Sequence, residues 1–535
     1  MDMITSKSSL DKQQTPVEKR IRDASRYIIE QILSKRGKVN VEHLKRKVSK
    51  EYDIPFLLKN ADILQYATPE EKEIIKDFLK TKTIRSISGV VVVSVMIPPL
   101  PCPGKCIYCP TSSIAPKSYT GNEPAALRAR MFDYDSYKQV EARLRQLEMQ
   151  GHDVSKVEII VMGGTFPAYS KIFQENFIKG IYDALNGFRA GTLEEAMKIN
   201  ETAKRRCVAL TIETRPDYAK ERHIDMMLSY MATRVELGVQ VLSDRLLKKI
   251  RRGHTLKDVI ESTRRLKDAA YKVGYHIMPG FQDEEKDLKM FKKLFTNPDF
   301  RPDMLKIYPV LVIKGTELYE MWKKGEYEAL DDESAAELIA KLYKYIPEYV
   351  RVMRVQRDIP AYAIEAGVKK SNLRDMVMSK MREMGIKCRE IRCREAGHVY
   401  LREGKIPRNV EVIVRKYKAS KGEEYFISAE DVEQDILVGY LRMRFPYKPY
   451  RKEISKDDAL IRELKVVGLQ VPIGKRKEQG FQHRGIGRML LHKAEEIAKD
   501  KGKEKIHIIS AVGTREYYRK FGYKLQGPYM SKRIE

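Results

Sequence analysis

The sequence predicts an α/β protein in which a partial (β/α)6 barrel is joined through a helical linker to a second α/β domain, behind a basic helical N-terminal region. Three observations carry that prediction. From Val90 to about Val310, six short β-branched runs alternate with stretches of helical periodicity, the pattern of parallel strands and crossover helices. From Asn409 onward, several strand-like runs precede a glycine loop and a long helix. Lysine and arginine number 102 against 74 aspartates and glutamates, a net charge of +28. A chain of 535 residues holds about three or four units of roughly 150 residues each. The expected boundaries are 1–85 for the basic helical region, 86–313 for the barrel, 314–400 for the linker and 401–535 for the second α/β domain.

In the first region, Ile21, Ala24, Ile28 and Ile32 fall on one helical face, with Lys19, Arg20, Arg22 and Arg26 elsewhere. Thr68 is placed to cap a later helix, with Pro69 in its first turn and Glu71 three residues after the cap. The barrel strands are VVVSVM, VEIIVM, CVALTI, RVELGVQ, VGYHIM and MLKIYP. Chemistry in such a barrel belongs just after each strand. There the sequence has a cysteine cluster, Gly163-Gly164, Glu213, Gln240, His276 and Lys306 in turn. The linker reads as helices, including Ala335 to Tyr349 and Leu373 to Gly385. The last domain reads as VEVIVRKY, YFISAE, ILVGYLRMRF, IRELKVVGLQV, KIHIISAV and a single final strand GYKLQGPYM.

The positive charge points to a polyanionic partner. The most apolar run, Ile87 to Leu100, is broken by two prolines and falls short of the ~20 residues a spanning helix needs, so no membrane partner is expected. Six cysteines in so long a chain do not suggest a disulfide framework, and the expected compartment is the reducing cytoplasm.

Cys102, Cys106 and Cys109 form a C-x3-C-x2-C array with Tyr108 before the last cysteine. Three thiolates do not complete a zinc tetrahedron, but on a cubane of four irons they leave one vertex open. Spacing, aromatic and position after the first barrel strand resemble the radical S-adenosylmethionine (SAM) superfamily. That resemblance implies a 4Fe-4S cluster and SAM, with Gly163, Gly164, Glu213, Gln240 and Lys306 meeting the cofactor. A salt bridge from Glu213 to Arg215 is the bland alternative.

Gln482-His483-Arg484-Gly485-Ile486-Gly487 lies between an apolar strand and the helix that begins at Arg488, where free amides and the helix dipole bind phosphate oxygens. With GTREYYRKFGY downstream, it resembles the GNAT acetyltransferases. Gln482, Arg484, Gly485, Ile486, Gly487 and Arg488 then hold the coenzyme A pyrophosphate. Glu463, Leu464, Lys465 and Val466 line the pantetheine arm, and Tyr517 or Tyr518 donates a proton to the thiolate, Tyr518 also contacting the cofactor.

A radical SAM barrel and a GNAT domain in one chain, with SYTGNEPAALRAR after the cluster, resemble the Elongator catalytic-subunit family, in an archaeal or prokaryotic form. The resemblance covers nearly all of residues 20 to 535. It implies a tRNA carboxymethyluridine synthase that uses SAM-derived radical chemistry and acetyl-CoA to form 5-carboxymethyluridine at the wobble position. Lys156 matches a family contact to acetyl-CoA. The tRNA surface is expected at Lys19, Arg20, Arg22, Arg26, Tyr119, Arg128 and Arg130, with a solvated charge face as the alternative for each. An electron donor is implied, other Elongator subunits are not required, and a homodimer is compatible with the sequence. Cys388, Cys393 and His398 form a C-x4-C-x4-H set for zinc that lacks a fourth ligand, against two structural thiols. The competing functions are a protein lysine acetyltransferase with a structural cluster and a non-enzymatic RNA-binding scaffold.

Overall fold

The computed structural model describes residues 16–35, 39–54, 57–79, 89–468 and 485–534. They fall into two compact units, Met1–Arg85 with Arg143–Val154, and Ser86–Ala142 with Ser155–Glu535. No helix among the described residues is long and apolar enough to cross a membrane.

The first unit is built on α1 (Pro16–Ser34), α2 (Val41–Glu51), α3 (Asn60–Gln65) and α4 (Pro69–Leu79). Ala24, Ile28 and Ile32 of α1 are buried in one core with Val48, Ile63, Ile75 and Leu79, and Ile21 packs at its margin. The apolar stripe seen in the sequence is therefore the packing face. At the start of α4 the Thr68 amide donates to Glu71 Oε2 at 2.8 Å, and the Glu71 amide donates to Thr68 Oγ1 at 3.2 Å. This reciprocal cap satisfies two helix-end donors.

In the second unit, seven parallel strands lie in sequence order: β1 (Val91–Met96), β2 (Lys156–Met162), β3 (Arg206–Thr214), β4 (Arg234–Gln240), β5 (Lys272–Ile277), β6 (Met304–Ile307) and β7 (Arg351–Arg354). They form the half-barrel. Six match the predicted runs, and β7 corrects the expectation of a wholly helical linker. Its four residues carry two arginines, so no apolar run betrays the strand; it forms because Met304 and Leu305 of β6 pair with Arg351 and Val352. The two predicted linker helices are found at Asp332–Leu342 and Leu373–Glu383, the first shorter than expected, with shorter helices at Glu317–Lys323, Ile391–Arg394 and Ala396–Glu403.

The second sheet contains β8 (Glu411–Ala419), β9 (Gly422–Asp431), β10 (Ile436–Phe445), β11 (Ala459–Val466), β12 (Lys505–Ile509), β13 (Lys524–Gln526) and β14 (Tyr529–Arg533), in the order β13-β14-β12-β11-β10-β9-β8. The run expected as one final strand is the β13–β14 hairpin, turned at Gly527, whose φ is 58°. Leu490, Leu491, Ala494 and Ala498 of the helix Ile486–Asp500 share one core with Ile427, Leu441 and Ile461 of the sheet.

This sheet packs on the N-terminal ends of the barrel strands. Arg462 of β11 grips Asp303, just ahead of β6, through two contacts of 2.6 Å, and also meets Glu424 at 2.8 Å. Arg444 meets Asp268 at 2.7 Å and Glu424 at 2.9 Å, and Arg442 meets Glu463 at 2.8 Å and Asp303 at 3.7 Å. Lys267 lies 3.9 Å from Asp303. Arg442, Arg444, Arg462, Lys267, Asp268, Asp303, Glu424 and Glu463 thus form a balanced ionic cluster. All but Glu463 are almost wholly excluded from solvent. Charges removed from water this far persist only when paired.

Candidate active site

The loop after β1 brings Cys102, Cys106 and Cys109 to the C-terminal mouth of the half-barrel. Their thiols open into one cavity of about 130 Å³, which Gly164, Glu213 and Gln240 also line. The Gly104 amide donates to Cys102 Sγ at 3.4 Å. Arg252 donates to Cys106 Sγ at 3.6 Å and is itself fixed by Gly238 O at 2.8 Å. A hydrogen bond with Cys109 and the nearby Arg252 guanidinium draw the Cys106 thiol below its ordinary value, which favours the thiolate form there. A Cβ at Gly104 would lie 2.8 Å from Arg215 Nη1 and 3.6 Å from the sulfurs of Cys102 and Cys106, so bare backbone is required beside the thiols.

Two further features fit a polar cofactor here. Gly163, at φ 109°, occupies a conformation open to glycine, and a Cβ there would collide with Ile97 and Pro116 at 2.9 Å. Gln240 is held at φ 70°, unusual for a side-chain-bearing residue, and its buried Oε1 has no protein partner. A strained residue presenting an orphaned acceptor to a cavity is poised for a ligand. Thiols, bare glycines and orphaned amide together fit a cluster and SAM.

Behind the mouth, ionisable side chains run through the barrel interior. Glu213 does not pair with Arg215, which binds Asp217 at 2.9 Å; it accepts from Lys306 Nζ at 2.8 Å. Lys306 also contacts Glu236, which accepts a 3.0 Å hydrogen bond from His276 Nε2 and lies 3.2 Å from Arg234. Arg234 in turn contacts Glu158. Burial opposes charge on Lys306, yet the carboxylates of Glu213 and Glu236 hold its ammonium well above the ordinary value. Alongside His276 and Tyr308, which the sequence places at the ends of their strands, Glu236 and Arg252 line the same cavity without having been expected there. The missed signal was period two: Arg234, Glu236, Gly238 and Gln240 alternate along β4 and so share its inner face.

In the second domain, β11 pairs with β12 only from Ala459 to Ile461. Its later residues, including Glu463, Leu464, Lys465 and Val466, pair with no strand on that edge among the described residues, which suits an extended ligand arm. Glu463 is tied to Arg442, Leu464 packs on the core and Lys465 is half-buried, desolvation pulling its ammonium down. The helix Ile486–Asp500 starts at Gly485, whose φ of 82° sets its entry. A Cβ on Gly487 would lie 2.5 Å from Tyr517 Oη, so this tyrosine covers the helix N-terminus. Tyr518 is buried in the core, which raises its phenol, and Tyr517 is partly exposed. Ile486 packs near Gly439 and Arg488 is exposed; Gln482 and Arg484 lie outside the described residues. Lys156 opens β2 opposite Arg206.

The remaining predicted residues are dispersed. Lys19 is exposed, whereas Arg20 pairs with Asp53 at 2.6 Å, Arg22 with Asp23 at 3.2 Å and Arg26 with Glu71 at 2.6 Å. Arg128 donates to Ser94 O of β1 at 2.6 Å, tying its helix to the barrel, and Arg130 to Gly121 O at 3.2 Å, holding the adjoining loop. Tyr119 lines the thiol cavity. The zinc set does not assemble: Cys388 and Cys393 form a disulfide, and His398 lies 3.5 Å from Glu395. Cys388, Glu390 and Cys393 place three donor atoms within 4.8 Å of one another, a group able to hold a metal, and His398 is not among them; the S–S bond corrects the alternative of two free structural thiols.

A half-barrel with three thiols at its mouth, followed by a sheet with a split strand pair and a glycine-led helix, defines a radical SAM enzyme fused to an acetyltransferase domain. The radical SAM superfamily profile matches residues 96–292 and its C-terminal domain 302–383, while the acetyltransferase (GNAT) family matches 388–523 and the ELP3 N-terminal domain 21–87. The chain is 54% identical over 488 residues, 89% of its length and 90% of the relative's, to tRNA uridine(34) acetyltransferase of Methanocaldococcus jannaschii. It is 41% identical to human Elongator complex protein 3, covering 95% of this chain and 96% of that one. The solved structure of Methanocaldococcus infernus Elp3 lacking its N-terminus superposes with a TM-score of 0.76 at 49% identity, over 84% of this chain and all of the other. The chain belongs to the family of the Elongator catalytic subunit, in its archaeal form.

Proposed function

We propose that the protein modifies the wobble uridine of tRNA, joining an acetyl-CoA-derived carboxymethyl group to carbon 5 of the base by radical chemistry. The observation that carries this reading is the presence, in one chain with a rigid ionic seam between them, of a three-thiol barrel mouth and a coenzyme A cradle. Neither half alone needs the other. A 4Fe-4S cluster held by Cys102, Cys106 and Cys109, with SAM, supplies the hydrogen-abstracting radical when bound.

The chain's own residues do the rest. Gln240 and the Glu213–Lys306 pair orient the polar groups of SAM, and the bare edge of β11 aligns the pantetheine arm. The amides at Gly485 and Gly487 hold the pyrophosphate. Tyr518 remains protonated because burial raises its phenol, which suits it to return a proton to the departing thiolate, and Tyr517 closes the pyrophosphate end.

The test is anaerobic incubation of reconstituted protein with SAM, reductant, acetyl-CoA and bulk tRNA, followed by mass spectrometry of the nucleosides. The expected products are 5-carboxymethyluridine and 5'-deoxyadenosine. The Cys109→Ala variant is expected to lose iron and both products while keeping tRNA affinity within a few-fold. Modification surviving in that variant refutes the radical assignment. Absence of both products from the cluster-loaded wild type would favour a protein lysine acetyltransferase.

A further inference from the structure

We propose that a basic groove at the far end of the acetyltransferase helix binds the phosphodiester backbone of the RNA substrate outside its anticodon stem-loop. The groove has a volume of about 700 Å³ and lies between the C-terminal half of the helix Ile486–Asp500 and the β13–β14 hairpin. It is remote from the coenzyme A cradle. That helix has 15 residues, so its two ends are ~22 Å apart at 1.5 Å per residue.

The charges within it are sorted. Its acidic members are already matched, Glu495 by Lys532 at 3.1 Å and the Tyr523 hydroxyl at 2.9 Å, and Glu496 by Lys493 at 2.9 Å. Lys499, Lys505, Lys524 and Arg533 line the same groove and have no ion pair among the described residues. Lys499, Lys524 and Arg533 are also exposed. A concave surface with surplus positive charge, on a chain of net charge +28, fits a polyphosphate strand. The groove sits in a different domain from the thiol cavity. An acidic redox protein delivering electrons to the cluster therefore has no reason to dock there, whereas an RNA whose anticodon enters the barrel extends beyond it.

This inference rests on the tRNA reading above, and the experiment separates the two. The cluster-loaded wild type and the triple variant Lys499→Glu, Lys524→Glu, Arg533→Glu are titrated with full-length tRNA and with an isolated anticodon stem-loop across a salt series. Acetyl-CoA affinity and circular dichroism verify folding. The expected result is about tenfold or greater weakening for full-length tRNA, with the slope of log K against log salt shallower by roughly 3, near 0.9 per phosphate contact removed. The stem-loop affinity is expected to stay within twofold. Equal binding of tRNA by variant and wild type overturns the proposal, as does equal weakening for tRNA and stem-loop. Unchanged tRNA binding with slower cluster reduction by an acidic redox protein would assign the groove to that protein and also overturn it. Failure of the wild type itself to bind tRNA would instead refute the underlying reading.

Discussion

Replacing Asp303 by Asn is expected to loosen the seam between the two domains. In the folded chain the four cations Arg442, Arg444, Arg462 and Lys267 face the four anions Asp268, Asp303, Glu424 and Glu463, with Arg264 joining at the margin 3.5 Å from Asp268. Asp303 receives Arg462 on both oxygens at 2.6 Å, the Val273 amide at 2.9 Å, and the nearby charges of Arg442 and Lys267. Burial alone would raise its pKa, but Arg462 and Lys267 hold the carboxyl far below the usual range. The amide removes one negative charge and leaves four buried cations against three anions, which costs about 3–5 kcal/mol. The double change Asp303→Leu with Arg462→Met returns the cluster to three against three and is expected to cost less than the single one. Denaturant midpoints of the wild type, Asp303→Leu, Arg462→Met and their combination, read by circular dichroism, measure this. A double variant whose loss equals or exceeds the sum of the two singles would refute the charge-balance argument and leave packing as the cause. Acid acts like the substitution. Because the folded pKa lies below the unfolded value, this contribution is whole above about pH 4 and declines as the pH falls toward the folded pKa.

Gly485→Glu forces a side chain onto a residue at φ 82° and sets a carboxylate against the pyrophosphate, so acetyl-CoA affinity measured by calorimetry is expected to fall at least tenfold. Unchanged affinity would sink the coenzyme A assignment. Burial, with Arg252 and Arg215 nearby, pushes His254 down to about 2, so the unfolded chain takes up its proton first. Its contribution to stability therefore shrinks as pH drops below 6.5, by about 2 kcal/mol at pH 5. In urea titrations His254→Leu should narrow the gap between pH 7 and pH 5; an identical gap in variant and wild type would contradict the assignment.

Most of the architecture was legible because the signals are local. Six barrel strands are β-branched runs bounded by turns, and the cysteine triplet and glycine loop are contiguous. What escaped notice depends on partners distant in sequence. Arg351–Arg354 is a strand only because β6 offers it an edge. Glu236 looks like an ordinary strand residue until Lys306 is brought between the glutamates by the closing sheet. The cysteines at 388 and 393 have a spacing open to a metal or to two structural thiols, and the turn toward Glu390, invisible in the spacing, brings their sulfurs together. The arginines proposed for RNA were chosen by charge, which says nothing of the acidic neighbours that already engage several of them.

In the half-barrel each strand lies beside the one synthesised just before it, from β1 to β7. The sheet can therefore grow strand by strand as the chain leaves the ribosome, with little loop entropy lost at each addition. Asp268 and Asp303 are then finished early and wait, hydrated, for Arg444 and Arg462 from a later stretch of chain. Until those arginines arrive, the exposed carboxylates make the barrel floor a poor surface for another nascent chain to adhere to, so residues that lock the mature enzyme also guard its half-built form.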